Sequence, residues 1–120
     1  MTNERAGAIA LIAGTLAMIA VMALHPEGIH KSPEAGAILQ LGIIVHAIAI
    51  ATVPILTFGM LALTRHLGST PTATFAFICY AFGAVAVMLA ATMSGQIAPR
   101  LIEAGADHDL LRFGWHLNQA

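Results

Sequence analysis

The chain has 120 residues, a formal net charge of −1, 58% hydrophobic residues and only 9% charged residues. Soluble domains are about 45–50% apolar and about 25% charged, and a chain this short has too much surface per unit volume to hide such an excess from water. The composition therefore argues against a water-soluble globule and for lipid as the solvent, and the absence of any basic run excludes nucleic acid as a partner.

The first apolar run, Ala6–Leu24, follows the polar opening "MTNER". A signal peptide carries an apolar stretch of about 7–15 residues, whereas about 20 are needed to cross a hydrocarbon core of about 30 Å. The length fits an uncleaved first span; Val21 and Ala23 supply the small residues for the competing reading, a cleavable leader. Small residues at four-residue spacing (Ala6, Ala10 and Gly14, with Ala13 and Ala17 beside them) predict a face for close helix packing.

The segment "HPEGIHKSPEAG" then separates the first run from the second. Ser32 is a candidate N-cap, Pro33 fits a first helical turn, and Glu34 suits the positive end of the helix dipole. The second run, Gly36–Thr64, is too long to cross upright, so it must tilt, kink or project beyond the lipid. Pro54 lacks an N–H and collides with the carbonyl of Ile50; Thr52 or Thr57 is expected to stabilise the freed groups. His46, reckoned from a helix entering at Gly36, falls near the bilayer centre, and ionisable residues at that depth are functional candidates by default. Gly42, one turn earlier, leaves room beside the ring, and Thr57 and Thr64 share nearly the same helix face. The plainer role for His46 is a neutral ring hydrogen-bonded to a neighbouring helix.

In "RHLGSTPT", Gly68 stops the second helix, Thr70 caps the next and Pro71 opens it. The third run is Pro71–Met93, with small-residue ridges at Cys79–Gly83 and Ala86–Ala90–Ser94. Cys79, the single cysteine, reads as a packing residue rather than a nucleophile. Beyond Met93, the residues Gly95, Pro99 and Gly105 predict a loop, with one short interfacial turn over Pro99–Ala104.

The last stretch, Asp107–Ala120, sets Leu110, Phe113 and Leu117 on one helix face and His108, Arg112, His116 and Gln119 on another. At about 21 Å this amphipathic helix does not cross a bilayer. It either lies in the interface with Trp115 at headgroup level or begins a fourth span of a longer native chain. The predicted fold is all-α: one membrane domain, a multi-pass transmembrane helical bundle of three spans plus an amphipathic or truncated fourth helix.

Alternating crossings put Arg5 and Arg65 on one side, and Lys31 and Arg100 on the other, with Arg112 just inside the last helix. Glu27, Glu34, Glu103, Asp107 and Asp109 fall on the second side and only Glu4 on the first. The basic count does not decide orientation; the reading adopted is a cytoplasmic N-terminus in a plasma or bacterial inner membrane.

There is no nucleophile–base pair, phosphate-binding glycine loop or HExxH motif. The sequence reads as a non-enzymatic accessory or structural subunit, its partners being lipid and either another protein or a second copy, met through small-residue faces. The alternative is a redox or ion-handling role. His46 and His116, at similar depth on facing helices, would ligate a b-type haem iron from both sides with Arg112 or Lys31 near the propionates, or serve a quinone-associated anchor. His46 with the acidic loops would instead form a proton or metal-ion pathway. A second ligand set, His25, His30, Glu34, His108 and Asp109, lies in two loops expected to be neighbours, and its imidazoles and carboxylates suit zinc or a similar divalent ion.

Overall fold

The structure is a computed structural model that describes residues 3–25, 35–105, 107 and 109. The described elements are all helical: α1 (Asn3–Leu24), α2 (Ala35–His66), α3 (Pro71–Thr92), a π-helical segment (Met93–Ile97) and α4 (Ala98–Glu103). Three stretches, Asn3–Leu24, Leu39–His66 and Pro71–Glu103, are long and apolar enough to cross a membrane. Residues 110–120, and with them the expected fourth helix, lie outside the described residues.

The turn between α2 and α3 follows from local chemistry. Gly68 adopts φ +83°, a left-handed conformation that a Cβ disfavours. Its N–H donates to the carbonyl of Arg65 at 3.1 Å, and that of Ser69 to Thr64 at 3.1 Å, the paired bonds of a Schellman C-cap. Thr70 then caps α3, its hydroxyl accepting from the N–H of Ala73 at 3.3 Å, and Pro71 occupies the first helical turn. Gly68, Thr70 and Pro71 therefore act as their sequence predicts.

α2 is the middle helix, with α1 packed on one flank and α3 on the other. α1 runs antiparallel to it, Gly7 meeting Ala62, Leu11 meeting Gly59 and Gly14 meeting Leu56. The buried residues of α1 are Gly7, Gly14 and Val21, a seven-residue repeat. Such a repeat keeps one seam facing the partner when helices cross at a shallow left-handed angle. Of the expected ridge, only Gly14 is fully buried; Ala6 and Ala10 are half-buried and Ala13 is exposed. The seam ends in a small cluster of Val21, Val45 and Ala49 with Met18 against it.

On α3 the half-buried positions run through Ala73, Phe77, Ala84 and Met88 to the buried Ala91. The ridge Cys79, Gly83, Ala86 and Ala90 is exposed and faces away from α2, and a side chain added at Gly83 would meet nothing within 4 Å. Large apolar side chains cover the outside of the layer, among them Phe82 at 75% exposure, Phe75 at 67% and Ile12 at 62%.

The hydroxyls inside the helices bond to their own backbone. Thr15 donates to Leu11, Thr52 to Ile48, Thr57 to Val53 and Thr64 to Met60, each four residues back and at 2.7–2.9 Å. This satisfies a polar group without help from solvent. Neither Thr52 nor Thr57 serves the carbonyl of Ile50, contrary to expectation, and α2 continues through Pro54 as one helix.

Candidate functional site

The site begins with a proline. In a regular α-helix, residue 99 would donate an N–H to the carbonyl of Gly95. Pro99 has none, and its ring would strike that carbonyl. The chain responds by widening one turn: over Met93–Ile97 the helix becomes π, and the N–H of Ala98 reaches back five residues to Met93. The Ser94 hydroxyl donates to Ala90 at 2.7 Å. Helix therefore replaces the predicted loop after Met93 and runs on to Glu103. Wide turns of this kind are rare and recur at functional sites.

The widened turn presses Gly95 onto α2. A methyl group at Gly95 would overlap Cβ and Cγ of His46 and lie 2.8 Å from its Cδ2, so only glycine lets the two backbones approach here. The neighbouring Gln96 donates its side-chain amide to the carbonyl of Ile43 at 3.1 Å. His46 Nδ1 lies 2.7 Å from the carbonyl of Gly42. Because a carbonyl only accepts, Nδ1 carries the proton in that bond, and in the neutral ring Nε2 keeps its lone pair. His46 thus bonds to its own helix rather than to a neighbouring one. The ring of His25, just past the end of α1, meets His46 edge to face with centroids 5.0 Å apart and planes at 64°.

These contacts fix the level of the site. The end of α1 lies beside His46, so His46 is a full α1 length from the Arg5 and Arg65 end. Its separation from Arg65 is about 28 Å of helix. His46 therefore lies level with the end of α1. α2 starts well beyond the end of α1, so Gly36 is not where the layer shared by the two helices begins. His25, His46, Ser94 and Gln96 form one polar tier there.

Of the haem pair, His46 is described, whereas His116 and Arg112 lie outside the described residues. Of the predicted metal ligands, His25 and Asp109 are described, and His30, Glu34 and His108 are not. Among the described residues no three His, Cys, Asp or Glu side chains converge on a point. The pairing of His25 with His46, and the part played by Gln96, escaped the sequence reading. Counting depth from Arg5 and Arg65 instead of from Gly36 would have found the first. The second was hidden by reading residues 94–109 as a loop.

At the opposite end, His66 Nδ1 and the Glu4 carboxylate lie 3.4 Å apart, both exposed. They tie the start of α1 to the end of α2, with Arg5 and Arg65 on either side. No family model, curated protein or solved structure matches the chain.

Proposed function

We propose that this chain is a small integral membrane protein that acts as a non-catalytic subunit, joining a membrane partner through the outer face of α3. The observation that carries this reading is the contrast between two small-residue seams. The seam of α1, Gly7–Gly14, is used up inside the fold against α2. The seam of α3, Cys79–Gly83–Ala86–Ala90, is open along its length and flanked by exposed Phe75 and Phe82. In lipid, helices associate by close approach of backbones rather than by the hydrophobic effect, and small residues permit it. Open small-residue seams bordered by aromatic rings suit that mode of association. A cytoplasmic N-terminal side is part of the proposal.

The test is purification of the full chain from its native membrane in mild detergent, with identification of whatever remains bound. A fixed partner at constant stoichiometry, lost in Gly83→Leu while helicity and thermal unfolding stay unchanged, is the expected result. A monodisperse monomer with no retained protein would defeat the proposal.

A second reading is favoured by one specific feature, the His25–His46 tier at the π segment. A histidine that donates Nδ1–H to a backbone carbonyl has its ring oriented and its Nε2 available, the usual preparation of a ligand or proton carrier. A redox or ion-handling role at this tier predicts a Soret band or stoichiometric metal in the same preparation, lost in His46→Ala.

A further inference from the structure

The α1–α2 seam leaves a groove at its Arg5 end. Gly7 and Gly59 bring the helices so close that their shoulders part above the contact. On one flank this opens a cleft of about 330 Å³, walled by Ala8, Leu11 and Leu63 and rimmed by Glu4, Arg5 and His66. On the other flank a cleft of about 220 Å³ lies between Phe58 and Leu61, rimmed by Glu4, Arg65 and His66. Each is apolar below and charged above.

The charges at this end are unbalanced. Glu4 is engaged with His66, and Arg5 and Arg65 make no salt bridge among the described residues. The other end carries Glu103, Asp107 and Asp109 against Arg100.

We propose that this end of the molecule holds an anionic phospholipid, its phosphate at Arg5 and an acyl chain laid in the cleft along Leu11 and Leu63, with Arg65 on the opposite flank adding its positive field. Arginine suits phosphate because its planar fork donates two hydrogen bonds at once. The apolar walls commit the site to a lipid rather than to free phosphate, which would leave the cleft unfilled. Glu4 lines both clefts with its carboxylate 3.4 Å from His66, and the two arginines outnumber this one acid among the described residues at this end.

The test is native mass spectrometry of the full chain, released from detergent in the presence of equimolar phosphatidylglycerol and phosphatidylcholine. The wild type should retain phosphatidylglycerol with a preference on the order of tenfold, as two basic residues near a charged surface imply. The double variant R5Q/R65Q should bring the two lipids to parity, while R100Q should not. Ala8→Trp, at an exposed position on the cleft wall, should remove bound lipid of both kinds and leave helicity intact. Equal retention of both lipids by the wild type would overturn the proposal. So would an undiminished preference in R5Q/R65Q, or a dimer that forms in place of lipid adducts and is broken by Ala8→Trp.

Discussion

Gly95 and His46 are in such close contact that a methyl on the glycine would occupy the volume of the imidazole's own stem. Cβ and Cγ of His46 belong to the rigid base of the side chain, so little can swing aside. Gly95→Ala should therefore destabilise the protein by about 1–3 kcal/mol, the usual cost of overpacking. Gly83→Ala, where a side chain meets open space, should leave thermal unfolding in detergent unchanged. Equal unfolding temperatures for the two variants would show that the π segment and α2 do not pack as described.

The α1–α2 seam makes a graded prediction. A Cβ at Gly59 would lie 2.8 Å from the backbone nitrogen of Leu11 and 2.9 Å from its Cα, and backbone cannot move without shifting the helix. A Cβ at Gly14 would meet Cγ and Cδ2 of Leu56, at 2.7 and 2.8 Å, and that side chain can change rotamer. Gly59→Ala should thus cost more than Gly14→Ala, with both near the ~1–3 kcal/mol of an overpacked contact. Reversible unfolding titrations of the two variants check the order.

Gly7 opposes the methyl of Ala62. Gly7→Ala should be destabilising alone and largely rescued by Ala62→Gly, because the pair then exchanges which helix carries the methyl. A double-mutant cycle should return a coupling of about 0.5–3 kcal/mol, as found for residues in direct contact. A coupling near zero would place these residues apart.

Thr52 is 3% exposed and donates to the carbonyl of Ile48 at 2.8 Å. Thr52→Val removes the donor and keeps the shape, and the carbonyl retains its place in the helix ladder. The effect on unfolding should be within about 0.5 kcal/mol. Gln96→Leu removes a bond between helices, to Ile43 at 3.1 Å, and should cost about 0.6 kcal/mol, the typical worth of such bonds in membrane proteins. The same unfolding assay separates the two.

How much of this was legible beforehand depended on the kind of signal. Span number came from lengths of apolar sequence, and the α2–α3 turn from Gly68, Thr70 and Pro71, whose conformational demands are local. The inward faces were not legible. α1, α2 and α3 are apolar all round, so periodicity does not distinguish the packed side. In an alanine-rich helix several small-residue ridges compete, and the sequence alone favoured Ala6–Ala10–Gly14 over Gly7–Gly14–Val21. The fold chose the ridge with two glycines because backbone proximity, not hydrophobicity, decides there. Gly95 and Pro99 misled for a related reason. Both break helices in water, yet a widened turn accommodates them when a neighbouring helix rewards the close approach.

The four-residue turn from Leu67 to Thr70 has a consequence for how the chain assembles. With its Schellman cap on one side and its threonine cap on the other, it leaves no slack between α2 and α3. The two helices therefore behave as one hairpin. α1 docks onto that unit from the other flank, against the glycine shoulder at Gly59.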